Sequence, residues 1–94
     1  MKAMSNPEVS NRSSGITSEQ IRAARALLRW EQKDLAEASL VSIPTIKRLE
    51  AKPGSVSAHA TTVAALRRAL EEAGIEFIAE NGGGAGVRLR HRER

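Results

Sequence analysis

The chain of 94 residues contains no cysteine and no tyrosine, and only one tryptophan and one phenylalanine. Without cysteine it has neither disulfide bonds nor thiolate metal ligands, so its stability must come from an apolar core and a reducing compartment suits it. Its apolar runs are far too short to cross a bilayer. Residues 1–15, MKAMSNPEVSNRSSG, lack the apolar segment of a signal peptide. We therefore expect one small domain in the cytoplasm, with no membrane partner.

The positive charge is unevenly distributed. The net charge is +4 and the isoelectric point is about 10.3. Residues 16–80 are neutral, with nine Lys and Arg against nine Asp and Glu, so residues 1–15 carry +1 and residues 81–94 carry +3. Basic ends on a neutral body favour contact with phosphate, although the same pattern also promotes solubility.

The most informative stretch, residues 30–50, reads WEQKDLAEASLVSIPTIKRLE and predicts two short helices with a tight turn between them. Ser42 is a good N-cap for the second helix because its hydroxyl can accept a bond from the amide of Thr45. Pro44 would be the second helical residue, where a missing N–H has no intrahelical partner to lose. The sequence thus predicts a helix that begins directly after Ser42.

This second helix has an apolar side and a polar side. Val41 and Ile46 have the spacing of a hydrophobic staple, and Ile46 and Leu49 are predicted to face inward. The residues predicted to face outward are Ile43, Thr45, Lys47 and Arg48. A short helix that is buried on one side and basic on the other is typical of a helix-turn-helix that binds DNA.

The same stretch resembles the helix-turn-helix of the Cro/C1-type (Xre-like) family of phage repressors and bacterial regulators. The matching residues are Gln32, Leu35, Ala36, Val41, Ser42, Thr45, Ile46, Leu49 and Glu50. The resemblance covers residues 16 to about 73. It implies a lambda-repressor-like domain that binds double-stranded DNA and regulates transcription.

By position, the resemblance also implies the DNA-binding residues. Those facing the major groove would be Ser42, Ile43, Pro44, Thr45 and Arg48, with Lys47 close to the backbone and Gln32 bound to a phosphate. Arg48 could pair with the O6/N7 edge of guanine, and Ile43 or the Thr45 methyl could contact a thymine methyl group. The alternative is an ordinary helical hairpin with a solvated basic face.

Two residues depart from the family pattern. Leu40 occupies the turn position where the family usually has a glycine in the left-handed conformation, which a leucine adopts only at a cost of roughly 1 kcal/mol or more. Either the turn is built differently or some stability is lost. Glu31 replaces the Ser or Thr that commonly caps the first helix of the pair.

The residues before this stretch predict a disordered leader, residues 1–15, and a first helix. Thr17 and Gln20 form a capping-box pattern. Three apolar residues then recur at helical spacing, Ile21, Ala24 and Leu28. Three arginines lie on the other side and favour a solvated basic face, with contact between one of them and a phosphate as the alternative: Arg22, Arg25 and Arg29.

After a loop around Pro53 and Gly54, the pattern predicts a fourth helix from residue 59 or 60 to residue 73. Residues 75–90 then read as two alternating runs around the turn NGGGAG, which predicts a β-hairpin with Phe77 and Leu89 on the helical core. A phosphate-binding loop is excluded because a strand, not a helix, follows the glycines. Residues 91–94 form a basic tail.

Nothing in the sequence indicates catalysis or a cofactor. His59 and His91 are isolated, so they form no metal site, and no Ser/His/Asp arrangement is visible. We therefore expect that the protein is not an enzyme.

The sequence predicts a mainly α fold: four helices in a small lambda-repressor-like helix-turn-helix domain, residues 16–74, with a C-terminal β-hairpin, residues 75–90. We expect a repressor that binds a short inverted repeat through residues 42–51 as a homodimer held by residues 75–90. One alternative is the antitoxin of a toxin–antitoxin pair, which adds a protein partner to the same DNA-binding head. Another is a protein-interaction module of this fold that no longer binds DNA.

Overall fold

The computed structural model describes residues 15–91, which form four helices followed by two strands. Their bounds are α1 Ser18–Leu28, α2 Gln32–Ser39, α3 Ile43–Ala51, α4 Ala60–Glu72, β1 Ile75–Ile78 and β2 Gly86–Leu89. This confirms the mainly helical fold with a C-terminal hairpin. Most of the leader that the sequence predicts, residues 1–14, and the end of the basic tail, residues 92–94, lie outside the described residues.

One apolar core joins all four helices to the hairpin. Its buried members are Ile16, Ile21, Ala24, Leu35, Ile46, Leu49, Leu66, Ala69, Leu70 and Ile75. Each fully buried Ile or Leu side chain contributes about 1.5–3 kcal/mol. Because every element from α1 to β1 supplies at least one of them, α3 is held by the same core as its neighbours.

The start of α1 is fixed by the capping box that the sequence predicts. The amide of Gln20 donates to the Thr17 hydroxyl at 3.0 Å, and the amide of Thr17 donates to Gln20 Oε1 at 2.9 Å. Gln20 Nε2 also donates to the carbonyl of Gly86 at 2.9 Å. The amide of Ser18 donates to the carbonyl of Gly54 at 2.9 Å. The beginning of α1 therefore connects the loop after α3 with the hairpin.

The two strands pair antiparallel, with Ile75 opposite Leu89 and Phe77 opposite Val87. As predicted, Phe77 and Leu89 pack against the helical core, and Val87 joins them. The guanidinium carbon of Arg67 lies 4.9 Å from the centre of the Phe77 ring, over its face. The apolar face of the hairpin is thus partly covered by its own chain.

Three helices are followed, within two residues, by a residue at positive φ. Leu40, after α2, has φ 64° and ψ 21°, and Arg29, after α1, has φ 59°. Gly74, which follows the cap residue of α4, has φ 113° and adopts it without strain because it has no Cβ. The family resemblance pointed to a left-handed residue at Leu40, but nothing in the sequence predicted one at Arg29.

Candidate nucleic-acid interface

The beginning of α3 has the geometry that the sequence predicts. Ser42 precedes the helix, and its Oγ accepts a bond from the Thr45 amide at 3.3 Å and donates one to Thr45 Oγ1 at 2.9 Å. Pro44 is the second helical residue, where no backbone donor is lost. The hydroxyls of Ser42 and Thr45 are therefore hydrogen-bonded to each other at the beginning of α3.

The two sides of α3 differ in exposure. Ile46 and Leu49 are only 1% and 5% exposed and belong to the core. The exposed residues at the beginning and along the other side are Ser42, Ile43, Pro44, Lys47 and Arg48, and Thr45 is half-buried between the two sides. Six of the seven predicted DNA-binding residues thus lie in one helix and its cap, and five of these six are accessible.

Four residues, here called the Arg25 anchor, hold the inner side of α3: Arg25, Trp30, Gln32 and Glu50. Arg25 Nε and Nη2 donate to the two carboxylate oxygens of Glu50, both at 2.8 Å. Arg25 Nη1 donates to the carbonyl of Trp30 at 3.0 Å. Gln32 Nε2 donates to Glu50 Oε1 at 2.9 Å. The anchor therefore connects α3 with α1, with the start of α2 and with the turn between α1 and α2.

The interpretation of Arg25 as part of a solvated basic face is wrong. Its side chain is 19% exposed and that of Glu50 is 5% exposed. The periodicity of α1 places Arg25 beside the core, and α3 brings Glu50 to it from 25 residues along the chain. Arg22 and Arg29 are exposed, as predicted.

Gln32, the seventh predicted residue, is half-buried at the first position of α2. The bond to Glu50 uses one of the two hydrogens on its side-chain amide. Its backbone N–H belongs to the first turn of the helix, where it has no intrahelical partner. Gln32 lies in the anchor, and not on the exposed side of α3.

The basic residues differ in whether their side chains form ion pairs or hydrogen bonds within the chain. Lys47 and Arg48 form no ion pair with any residue from 15 to 91. Arg88 donates to both oxygens of Glu76, at 3.0 and 3.3 Å, and this contact lowers the pKa of Glu76 and raises the pKa of Arg88. Arg90 donates to the carbonyls of two residues in its own chain. The positive charges of Lys47 and Arg48 are available to a ligand, whereas the charge of Arg88 is paired with that of Glu76.

The turn between α2 and α3 keeps the left-handed residue of the family pattern although that residue is leucine. Leu40 is 90% exposed, so its side chain does not contribute to the core. Because Leu40 itself has φ 64°, the possibility that the turn is built differently is excluded. At the start of α2, the Glu31 side chain forms no cap hydrogen bond, and the Glu31 backbone N–H donates to Asp34 Oδ2 at 2.8 Å.

Other kinds of site receive no support from the described part of the chain. In residues 15–91, no group of three or more His, Cys, Asp and Glu side chains converges on a point that could hold a metal ion. Within the same range, no helix combines the length and the apolar character needed to cross a membrane.

No protein-family model matches the chain, and no curated protein matches it either. The resemblance to Cro/C1-type regulators therefore depends on the signature residues of α2 and α3 alone.

Proposed function

We propose that the chain is a sequence-specific DNA-binding regulator of transcription, similar to the Cro/C1-type family, that acts in the cytoplasm as a repressor. The observation that carries the proposal is the two-sided exposure of α3. Its inner side is fixed by the core and the Arg25 anchor, and its outer side presents Lys47 and Arg48 without ion-pair partners in residues 15–91. A rigid helix with free cationic groups fits the major groove of DNA.

In this proposal the exposed residues at the beginning and along the outer side of α3 have different roles. Arg48, in the middle of the exposed side, donates to a guanine edge, because a guanidinium matches the O6 and N7 acceptors in pairs. Lys47 binds a phosphate, which positions the helix without reading sequence. Ser42 and Thr45, whose hydroxyls are hydrogen-bonded to each other, fix the conformation of the N-terminal end of α3, which enters the groove.

Gln32 keeps a phosphate-binding role in the proposal. The second hydrogen of its side-chain amide and its backbone N–H are both donors at the N-terminus of α2, where the helix dipole also favours an anion. Because Gln32 is bonded to Glu50, a phosphate there would be held by the same group of residues that orients α3. This would couple the position of the backbone to the position of the reading helix.

A homodimer through residues 75–90 completes the proposal, since one recognition helix reads only a few base pairs and a two-fold dimer reads two half-sites. The described sheet has two strands, so each strand has one edge without a strand partner. Phe77, Val87 and Leu89 already pack on their own core. The contact between protomers would therefore be made by pairing strand edges, and not by burying the apolar faces of two hairpins against each other.

The function is tested by selecting duplexes from a randomised library with the full chain. We expect an enriched inverted repeat whose affinity falls with salt, with a slope of about 0.9 per phosphate neutralised. Failure to enrich any sequence, or binding that does not depend on salt, would contradict DNA binding and favour the protein-interaction module.

The dimer is tested by sedimentation of the full chain with and without the selected duplex. We expect a mass of two chains at tens of micromolar and two chains on each operator. A monomer at that concentration together with a single chain on an asymmetric site would disprove the dimer.

A further inference from the structure

The two edges of the hairpin are not equivalent. The amide of Arg90 donates to the carbonyl of Gly74 at 2.7 Å, and hydrogen-bonded pairs alternate with non-bonded pairs along an antiparallel ladder. With the observed register, Val87 and Leu89 are therefore at non-bonded positions, where the backbone N–H and C=O groups point away from β1. The outer edge of β2 thus presents the backbone groups of both residues to another strand.

The outer edge of β1 is partly occupied by its own chain. Ile75 lies opposite Leu89, so its carbonyl points away from β2. Arg90 Nη2 donates to this carbonyl at 3.3 Å and to the carbonyl of Glu71 at 3.0 Å. A strand that paired with β1 would have to displace the Arg90 guanidinium. In residues 15–91 no side chain bonds to the outward groups of β2, so β2 has the freer edge.

An uncovered apolar surface continues from the end of β2. Leu27, on α1, is 42% exposed. With Leu28 and Leu89 it borders an open depression of about 530 Å³, which Ala73 and His91 also line. Apolar surface beside a free strand edge favours contact with another chain. Because Leu89 belongs both to the edge and to the depression, a single partner segment can cover the two.

A second copy of the chain can supply that segment, and its register is limited by symmetry and charge. The outward groups of two β2 strands meet about a two-fold axis only if the register is centred on a residue. Within β2, Gly86–Leu89, only centres at Val87 and Arg88 pair more than one residue of each strand. The centre at Arg88 places two arginines directly opposite each other, which is unfavourable. The centre at Val87 places Arg88 opposite Gly86 and is therefore preferred.

Gly86 gives an independent observation in favour of the centre at Val87. Its φ is not left-handed, and a Cβ at this position would meet no atom within 4 Å. Its own chain therefore does not require a glycine here, and glycine inside a strand often marks the close approach of another chain. In the register centred on Val87, Gly86 leaves room for the long side chain of Arg88 of the partner subunit.

We propose, on the basis of the homodimer in the proposed function, that two copies pair through the outer edges of β2, with Val87 opposite Val87 of the partner subunit. Leu89 is then opposite Ala85 of the partner subunit, which brings the partner's Gly-rich turn to the depression beside Leu27. The two hairpins form one four-stranded sheet in the order β1–β2–β2–β1. The interface thus extends beyond the hairpin to α1.

The register is tested with single cysteines in the full chain, which has no cysteine of its own. At the centre of the register the two Cα atoms of residue 87 would be about 5.5 Å apart, within the range of a disulfide. Those of residue 88 would be diagonal neighbours about 7–8 Å apart, beyond that range. On mild oxidation without DNA we expect most of Val87→Cys to become a covalent dimer on a denaturing gel. Arg88→Cys, and Glu76→Cys on β1, should stay monomeric on the gel.

The contact at α1 is tested by introducing a charge. Leu27→Glu should raise the dissociation constant of the dimer about tenfold, because its carboxylate would lose water against the partner's turn. Leu40→Glu is the matched control, since Leu40 is also exposed but lies outside the proposed interface, and it should leave the dissociation constant unchanged. The circular dichroism of both variants should match that of the parent, because neither side chain belongs to the buried core.

The outcomes separate the pairing from the function on which it depends. Covalent dimers of Arg88→Cys in place of Val87→Cys would overturn the register, and covalent dimers of Glu76→Cys would move the interface to β1. An unchanged dissociation constant for Leu27→Glu would remove α1 from the interface. A monomeric parent at tens of micromolar would overturn the pairing and the homodimer, while salt-dependent binding to a selected duplex would still support DNA binding. A Val87→Cys dimer without any selected duplex would uphold the pairing and contradict the DNA-binding function.

Discussion

Two arginine–glutamate pairs have nearly the same chemistry but lie in different regions. In the helical part, Arg25 donates to both oxygens of Glu50 at 2.8 Å, and in the hairpin Arg88 donates to both oxygens of Glu76 at 3.0 and 3.3 Å. The Glu50 side chain is 5% exposed and that of Glu76 is 44% exposed. Water screens the hairpin pair and is excluded from the helical one, so breaking the helical pair leaves a charge without solvent.

The comparison shows that one type of contact has two uses. The Arg25 anchor connects three helices and sets the orientation of α3, whereas the Arg88–Glu76 pair bridges neighbouring positions of one small sheet. Both pair an arginine with a carboxylate of its own chain. In residues 15–91 the Lys and Arg side chains that form neither an ion pair nor a hydrogen bond are Arg29, Lys33, Lys47, Arg48, Lys52 and Arg68. Of these, Lys47 and Arg48 lie on the outer side of α3.

The largest expected effect follows from breaking the helical pair. Glu50→Ala leaves Arg25 partly buried without its carboxylate, and we expect a loss of about 3–5 kcal/mol in the free energy of unfolding. Glu76→Ala is the matched control, with the same chemistry in an exposed place. Urea denaturation monitored by circular dichroism measures both. Equal losses for the two variants would show that burial does not distinguish the pairs.

A smaller effect is expected at the turn that positions the other end of α3. Leu40→Gly relieves the left-handed strain and sacrifices no packing, since the side chain is exposed, and we expect a gain of about 0.5–1 kcal/mol after the entropy of glycine in the unfolded chain. A gain of about 1 kcal/mol raises the melting temperature by about 4–8 °C in a domain of this size. Arg29→Gly, at the other left-handed cap, should act similarly, and Leu40→Ala is the control that keeps the strain. A lower melting temperature for Leu40→Gly would mean that the Leu40 side chain packs after all.

The smallest effect is expected from the hairpin pair, and it depends on pH. The pKa of Glu76 is lowered first by its hydrogen bond to Arg88 and then by the charge of that residue. A carboxylate with a lowered folded-state pKa contributes stability above its unfolded pKa and loses it as the pH falls through the folded one. The difference in melting temperature between the parent and Glu76→Gln should therefore be small at pH 7 and vanish on acidification below the ordinary range of Glu. A difference that grows on acidification would contradict this account.

Local patterns predicted the parts of the fold that depend on neighbouring residues. The capping box at Thr17 and Gln20 needs a spacing of three residues, and the cap at Ser42 needs the same. Helical periodicity placed Ile46 and Leu49 inward. In the two caps the interacting atoms belong to one turn of one helix, and the inward side of α3 follows from its own periodicity, so local sequence was sufficient.

Ion pairs between distant residues were not predicted. Arg25 and Glu50 are 25 positions apart, and nothing in α1 alone shows that α3 brings a carboxylate to it. The pairing of Arg88 with Glu76 depends on the strand register, which the turn determines in three dimensions. As a result, the charge count of the C-terminal end did not show that Arg88 is paired within its own chain.

The central claim, that the outer side of α3 binds DNA while the arginines of the hairpin do not, is tested most directly by comparing Arg48→Ala with Arg88→Ala on the selected duplex. We expect Arg48→Ala to lose about 1–3 kcal/mol of binding free energy and to stop distinguishing one guanine of the half-site. Lys47→Ala should weaken binding to all sequences equally and reduce the salt slope by about 1. Arg88→Ala should bind like the parent. If Arg48→Ala and Lys47→Ala bind like the parent and Arg88→Ala does not, the interface is the hairpin and the account is wrong.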